Sequence, residues 1–209
     1  SIFKDSLLTN ISSLFSNCSS LESIDLSNIN SSLITDISSL FLNCSSLKSI
    51  DLTNFVTTKV IDMSKFISGC SSLESIDLSQ FDTESVTNMS YMFDGCSSLK
   101  SLDLSNLKTS KTINMDSMFK DCSKLLSIDL SNFDTSSVTN INSMFKDCNN
   151  LKIIDISSFN LENINDASSI FEKVNNLKYI NLFEVQIKGE FITNSYLKNL
   201  TELTVCQSD

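Results

Sequence analysis

Cysteine recurs along this chain at a fixed interval. Six cysteines, at positions 18, 44, 70, 96, 122 and 148, are each separated from the next by 26 residues. Their neighbours recur as well, as in M-F-D-G-C-S-S-L-K-S-L-D-L at residues 92–104. A strict period of this length is typical of proteins that stack one structural unit on the next, without a single central core. The chain is therefore predicted to form an elongated solenoid.

The residues after each cysteine predict a short strand. They follow the pattern L-x-x-L-x-L, as at Leu99, Leu102 and Leu104, whose last part alternates apolar and polar positions as strands do. The same pattern forms the strand segment of leucine-rich repeats. The predicted fold is thus an α/β leucine-rich-repeat solenoid whose short parallel strands lie on the concave face.

The segment before each cysteine predicts a short helix or turn on the convex face. In residues 86–95, the apolar residues Val86, Met89, Met92 and Phe93 have the spacing of one helix face. Most repeats place a phenylalanine at the position of Phe93, and this column is predicted to be buried. It is interrupted where Ile67 stands beside Phe66.

The whole chain, residues 1–209, is predicted to be one solenoid domain. Regular repeats run to about residue 182, and a contracted repeat follows at 183–209, where the strand motif returns at Leu200, only 23 residues after Leu177. Terminal repeats are often atypical because they end the stack. Since Phe3 already lies in the repeat register, we expect a fragment of a longer chain.

Composition argues against several classes of function. The net charge is −10 without any cluster of Lys or Arg, which does not favour nucleic acid as a partner. No apolar run has the length of a transmembrane helix, so this segment is not expected to insert directly into a membrane. Histidine is absent, which removes the usual acid–base group at neutral pH. No catalytic residue and no cofactor are predicted.

The cysteine column is predicted to be structural. Side chains of equivalent residues in adjacent repeats point in parallel, which is poor geometry for a disulfide. Close pairs such as C-x-x-C are missing, so no metal site is predicted. We expect reduced thiols that pack beside the Phe column as small apolar groups. Cys206 stands outside the column.

A row of aspartates is the candidate binding surface. Each lies between two inward positions of a predicted strand and should face outward on the concave side, with Ser or Thr on either flank. The row changes character at its end, where Ile153, Tyr179 and Phe183 replace polar residues. The candidate partner-binding residues are Asp25, Asp51, Asp77, Asp103, Asp129, Asp155, Tyr179 and Phe183.

Neighbouring carboxylates of this row are expected to repel one another. At a spacing of about 5 Å the repulsion is roughly 1 kcal/mol in water, which predicts coupled titration with some pKa values raised. Such a row would attract cations or a basic partner. Alternatively, each Asp is an ordinary solvated strand residue that is hydrogen-bonded to its neighbours. Glycosidase chemistry is not favoured, because equivalent carboxylates on an open face lack the asymmetry and enclosure it needs.

The repeat resembles that of the BspA-like leucine-rich repeat family of surface proteins. The resemblance covers about residues 3–182 and rests on the M-F-x-x-C-S-x-L step, at residues 92–99 and 118–125, and on D-L-S-N-F-D-T-S-S-V-T-N at 129–140. It implies an exported adhesive scaffold located outside the cell or on its surface. The family's motif fixes no functional residue.

These observations favour a noncatalytic scaffold that binds a protein, an extracellular-matrix component or another cell-surface ligand. A first alternative is a structural spacer or coat component that self-associates through the ends of the solenoid, where strand edges are open. A second is an intracellular protein-interaction module, for which reduced cysteines are usual.

Overall fold

Each 26-residue repeat forms one coil of a stack in the computed structural model, which describes residues 7–182. The strands are β1 (Ser23–Asp25), β2 (Ser49–Asp51), β3 (Ser127–Asp129), β4 (Ile153–Asp155) and β5 (Tyr179–Asn181). All pairings are parallel and in register, so that Ile24 lies opposite Ile50 and Ile128 opposite Ile154. The predicted solenoid with short parallel strands is confirmed. Phe3 and the contracted repeat at 183–209 lie outside the described residues.

The strands form one wall of the stack, which we call the strand wall and which includes the equivalent residues 75–77 and 101–103. This wall is divided into two sheets, β1–β2 and β3–β4–β5. Between them, residues 75–77 and 101–103 belong to no strand. Inward-facing Leu and Ile nevertheless continue through all coils, and Leu78 and Leu104 are as buried as Leu26.

A second parallel ladder runs along another side of each coil. Single-residue bridges join Asn10 to Asp36 and continue without a gap to Asp166, through positions 62, 88, 114 and 140. After each bridge residue, a series of turns leads to the next position of the cysteine column. We call the bridge residues and these turns the turn wall. Neighbouring amides reinforce the ladder, as where Thr87 N–H donates to the Ile61 carbonyl at 2.9 Å.

Of the short helices or turns predicted for the convex face, the helices are wrong: the described residues contain no α-helix, and the segments concerned are successive turns. In residues 86–95, Tyr91 (φ 58°) and Gly95 (φ 70°) adopt the left-handed conformation, which ends any right-handed helix. Alternate amides also leave the segment, because Tyr91 N–H donates to Asp116 O and Gly95 N–H to Lys120 O in the next coil. The turns give the apolar residues the spacing of a helix, while alternate backbone amides donate hydrogen bonds to the next coil.

The left-handed residues carry a sequence signal. The column that includes Gly95 contains residue types that tolerate positive φ, apart from its last member, Lys173. Its members are Asn17, Asn43, Gly69, Gly95, Asp121, Asp147 and Lys173.

Apolar columns fill the interior between the walls. Phenylalanine rings stack face to face along the C-terminal coils, where Phe93, Phe119 and Phe145 have centroids 5.5 and 5.8 Å apart. The predicted interruption of the Phe column at Ile67 is present. The neighbouring Phe66 ring lies edge-on to Phe41, and its centroid is 5.8 Å from that of Phe81. Burial of the column is confirmed for Phe41, Phe93, Phe119, Phe145 and Phe171, whereas Phe15 at the start of the described stack is only partly buried.

The cysteine column is buried and reduced from Cys44 to Cys148, as predicted. Each thiol donates to a backbone carbonyl of the preceding coil, as from Cys96 Sγ to Ile67 O at 3.1 Å. Burial raises the pKa of Cys70 and of Cys148 to about 12. Cys18, in the first described coil, is exposed, and Cys206 lies outside the described residues.

Candidate functional site

The aspartate row lies on the strand wall and faces outward. Asp25 is paired in register with Asp51, and Asp129 with Asp155. The first five members are exposed, and Asp155 is half-buried. The alternation with buried Leu and Ile explains this placement, because successive side chains of a strand point to opposite faces.

Each carboxylate of the row also stabilises the turn that follows its strand. One carboxylate oxygen accepts a hydrogen bond from the backbone N–H two residues later, as from Ser79 to Asp77 at 2.9 Å and from Ser105 to Asp103 at 3.0 Å. The same bond occurs at Asp25, Asp51, Asp129 and Asp155. This is the local side chain–backbone bonding by which Asp favours turns. The row therefore has a structural role besides any binding role.

The prediction of raised pKa values is wrong for four members of the row. Hydrogen bonds from the hydroxyl and backbone amide of the serine two residues later lower the pKa of Asp25, Asp77 and Asp103. At Asp155, burial raises the pKa, but hydrogen bonds from Ser157 and Asn181 outweigh it and the net shift is downward. Repulsion between neighbours is the smaller effect, because solvent screens these carboxylates while their turn bonds are direct.

A hollow of about 640 Å³ lies on the strand wall over the first coils. It is lined by Asp25, Asp51 and Asp77, with Ser23, Asn54 and Gln80 among their neighbours. The hollow spans the place where β2 ends its sheet and the next coil forms no strand. It is thus an open polar depression that three turn-anchored carboxylates enter.

Ion pairs tie adjacent coils together beside this hollow. Lys48 Nζ lies 2.8 Å from Glu22, and Lys100 Nζ lies 2.7 Å from Glu74, all with exposed side chains. Because each of these lysines is paired, the negative charge of the nearby aspartates is not compensated on this face.

The other end of the strand wall has a different surface. Tyr179 is partly buried and lies in register with Ile153, which is 48% exposed. Asn181 ends the acidic row, and its amide donates to Asp155 Oδ2 at 2.8 Å. Phe183, the remaining candidate residue, lies outside the described residues.

A column of buried hydroxyls was not identified from the sequence. Thr83 Oγ1 donates to Lys108 O and accepts from Lys108 N–H, both at 2.8 Å, which joins two coils next to the Phe81 turn. Equivalent buried residues are Ser31, Thr57, Thr109 and Thr135. The recurrence of Ser or Thr two residues after a bulky apolar position was a signal available in the sequence.

Two asparagines perform a similar task and were also missed. The Asn132 side-chain amide donates to three carbonyls of the preceding coil, those of Leu104, Ser105 and Leu107, at 3.1–3.2 Å. Asn106 makes the equivalent set one coil earlier. Both satisfy backbone groups at the turn after the strand position, where buried carbonyls need donors.

Residues 7–182 contain neither a cluster of metal ligands nor a membrane-spanning helix. No group of three or more His, Cys, Asp or Glu side chains in this range is arranged to hold a metal ion. No helix within it is long and apolar enough to cross a bilayer.

Comparison with known proteins places the repeats in a family. A leucine-rich repeat protein from Bacteroides ovatus has a solved structure that aligns with 17% identity and a TM-score of 0.38, over 96% of this chain and 78% of that one. No curated protein matches the sequence. The family model described as "Mycoplasma protein of unknown function, DUF285" matches residues 9–127 and 70–180. Since these matches span most of the 209 residues, the chain belongs to the DUF285 family.

Proposed function

We propose that the protein is a noncatalytic binding scaffold that presents the acidic part of its strand wall to a basic region of a protein or matrix partner. The observation that carries the proposal is the hollow lined by Asp25, Asp51 and Asp77. The carboxylates are held in place by bonds to the turn backbone, so little side-chain entropy is lost when a partner binds them.

The negative charge of the hollow favours a basic partner. The pKa of Asp25 and of Asp77 is lowered by hydrogen bonds from Ser27 and Ser79, which keeps both carboxylates ionised at neutral pH. Lys48 and Lys100, which lie on the strand wall beside the hollow, are each paired with a glutamate and so do not neutralise its aspartates. Complementary charge accelerates association and excludes partners of the same sign.

The proposed location is the cell surface or the extracellular space. Its support is the resemblance of the repeat to BspA-like surface proteins. The description of the DUF285 family assigns no function and so does not bear on location. Protease treatment of intact cells that produce the protein tests this location. Loss of the protein from intact cells is the expected result, and protection until lysis would contradict it.

The aspartate row lacks the asymmetry that acid–base catalysis by paired carboxylates needs. The carboxylates of the row stand in nearly equivalent surroundings on an open wall, since each accepts the same turn bond. Acid–base catalysis by two carboxylates needs environments that push their pKa values apart. Binding requires no such asymmetry.

The binding test uses substitutions that preserve the turns. A variant with Asp25→Asn, Asp51→Asn and Asp77→Asn keeps an oxygen for each turn amide and removes three charges from the hollow. Binding to fibronectin-coated, collagen-coated and whole-cell surfaces is measured by interferometry at low and high salt. Against the surface that the wild type binds, we expect the variant to lose about tenfold or more in affinity, mostly at low salt.

A matched control removes three carboxylates elsewhere. Asp82→Asn, Asp134→Asn and Asp166→Asn change turn-bonding aspartates outside the strand wall by the same net charge. The control is expected to bind like the wild type. Equal weakening of both variants would reduce the effect to net charge, and an unchanged hollow variant would place binding elsewhere; either result overturns the proposal.

A further inference from the structure

One junction of the strand wall has no polar contact between its two coils. Within the described structure, no hydrogen bond and no ion pair joins residues 47–55 to the equivalent residues 73–81. We call this junction the seam. The other junctions of the strand wall between residues 21 and 182 are connected by paired strands or by side chains. The seam is therefore the place where neighbouring coils of this wall are held together least.

Packing is also looser at the seam. Phe55 and Phe81 stack across it with ring centroids 6.2 Å apart, compared with 5.5–5.8 Å in the stack of the C-terminal coils. Ile50 and Ile76 face inward beside the seam but remain partly exposed, whereas the equivalent Ile154 is fully buried. The contacts that cross the seam are thus apolar, and apolar contact is non-directional. Few bonds and loose packing are typical of regions that open at a low cost in free energy.

The same two coils are firmly connected on their other sides. The bridges of the turn wall continue past the seam, and Asn43 N–H donates to Ser68 O at 2.7 Å. Beyond the strand wall, the buried Thr57 hydroxyl donates to Asp82 O at 2.9 Å and accepts from Asp82 N–H at 2.8 Å. Two coils that are fixed on these sides and free at the strand wall can tilt but cannot separate.

We infer that the seam is a hinge, about which the coils on either side tilt to open and close the strand wall. The paired strands β1 and β2 move as one block, and the coils from residue 73 onward move as the other. Hinge motion of this kind needs rigid parts that meet at a short, weakly bonded zone. The turn wall stays intact, because its backbone bonds cross the junction.

The hinge lies under the hollow. Asp51 and Asp77 both line the hollow and stand on opposite sides of the seam, so tilting changes the spacing of their carboxylates. The hinge follows from the bonding of the coils and does not require that the hollow bind a partner. The proposed binding function and the hinge can therefore fail separately.

The sequence supplies a cause for the seam. Asn106 and Asn132 each donate to three carbonyls of the preceding coil and so clamp two junctions of the strand wall. Gln80 occupies this column one coil earlier and forms no hydrogen bond with any described residue. Glutamine is longer by one methylene, so its amide does not lie where the asparagine amide lies. The seam thus lacks the clamp that holds the next two junctions.

Distances between pairs of spin labels test the hinge. The seam pair, Ser49→Cys with Ser101→Cys, places labels on the strand wall two coils apart and across the seam. The sheet pair, Ser127→Cys with Tyr179→Cys, spans the same number of coils within β3–β4–β5. Equivalent positions two coils apart are separated by about 10 Å, within the range of dipolar broadening in the electron paramagnetic resonance spectrum of frozen samples.

A third pair places the labels beside the turn wall of the same coils. Thr35→Cys and Thr87→Cys directly precede bridge residues on either side of the seam. All pairs are made in the full chain with Cys18→Ser and Cys206→Ser, because the cysteines from 44 to 148 are buried. We expect a distance distribution about twice as broad for the seam pair as for the other two pairs. A seam pair as narrow as the sheet pair, or a turn-wall pair as broad as the seam pair, overturns the hinge.

Closing the seam by substitution tests its cause. In the labelled chain, Gln80→Asn should clamp the carbonyls of Leu52, Thr53 and Phe55, which are equivalent to those that Asn106 contacts. The seam distribution should then narrow to that of the sheet pair, with unchanged circular dichroism. Gln80→Ala is the matched control: it has no amide, so the distribution should stay broad. A distribution that stays broad with asparagine, or that narrows with both residues, overturns the inference that the seam opens because it lacks polar contacts.

Discussion

The strand wall and the turn wall are held together in different ways. The strand wall pairs its backbone in two separate sheets, with residues 75–77 and 101–103 unpaired between them. The turn wall has bridges from coil to coil without a gap from Asn10 to Asp166. The wall that has the more recognisable strand motif thus has the less continuous backbone pairing.

The difference shows what apolar periodicity reports. The L-x-x-L-x-L pattern specifies which side chains are buried, and burial is uniform along the strand wall: Leu78 and Leu104 are each 2% exposed. Backbone pairing depends on how closely adjacent coils approach, which the pattern does not specify. In the unpaired coils, side-chain bonds such as Lys100–Glu74 and Asn106 to Leu78 O provide the contacts instead.

Alkaline pH should produce the largest loss of stability. It acts on the buried thiols of the cysteine column, at the end of the turn wall. Folded thiols stay protonated up to a pKa of about 12 at Cys70 and Cys148, whereas an unfolded thiol ionises near 8.5. A folded pKa above the unfolded value gives stability that is full below about pH 8.5 and is lost as pH rises toward 12. At pH 10 the loss is on the order of 2 kcal/mol for each of these thiols.

The alkaline effect is measured as the free energy of unfolding by urea from about pH 7 to 10.5 under reducing conditions. Cys70→Ala should flatten the decline relative to the wild type, because one titrating thiol is removed. Cys18→Ala is the matched control, since Cys18 is exposed. A decline that is equally steep in both variants would contradict the assignment to buried thiols.

Phe119→Ala should weaken both walls, because the Phe119 ring stacks between Phe93 and Phe145 in the interior that they share. The cavity should cost roughly 3–5 kcal/mol, and less if adjacent coils relax. Denaturation by urea measures the loss. Phe15→Ala, in a column position that is only partly buried, should cost clearly less. A change under about 1 kcal/mol at Phe119 would contradict its burial in the stack.

Gly69→Ala perturbs the turn wall alone. Gly69 has φ 75°, and an added Cβ would lie 2.5 Å from Asn43 Oδ1. We expect a loss of roughly 1–2 kcal/mol from the left-handed backbone, with a further cost for moving Asn43. Gly95→Ala is the matched comparison, because its φ is similar but its nearest contacts are at 3.4 Å. If the two variants lose equal stability in urea, crowding by Asn43 has no role.

The sequence predicted the features that burial dictates. Inward columns, parallel strands, the outward aspartates and the reduced cysteines follow from the 26-residue period and the apolar spacing. The apolar spacing left helix and turn open for the convex segments, because it serves both. The column of Asn43, Gly69 and Gly95 would have favoured turns, since three successive coils place there residue types that favour positive φ.

The division of the strand wall was not predictable from local sequence. Residues 19–27 and 71–79 are identical, S-S-L-E-S-I-D-L-S, yet only the first contains a strand. This difference in strand formation coincides with the interruption of the Phe column between these coils, where Phe66 stands beside the column position and packs against Phe81. Packing across coils, rather than local preference, therefore decides the pairing. The position of the hollow follows from it and was equally inaccessible to sequence reasoning.

The smallest expected effect concerns the strand wall at acid pH. The lowered pKa values of Asp77 and Asp103 mean that their ionised forms stabilise the fold above the unfolded value of about 3.9. This contribution is lost as pH falls through the folded values. Asp77→Asn with Asp103→Asn keeps an acceptor for the Ser79 and Ser105 amides but does not titrate, so stability should fall less steeply below about pH 4 than in the wild type.

Alanine at the same two positions separates charge from hydrogen bonding. Asp77→Ala with Asp103→Ala removes both the charge and the acceptor, so it should be less stable than the asparagine variant at every pH. Urea midpoints at pH 7 and at about pH 3 measure both differences. If the two variants are equally stable at pH 7, the turn bonds do not anchor the row, and the rigid presentation of its carboxylates loses its physical basis. If they differ, the residues that we propose to face a partner also close each turn of the strand wall, and asparagine is the substitution that can test binding without loosening the turns.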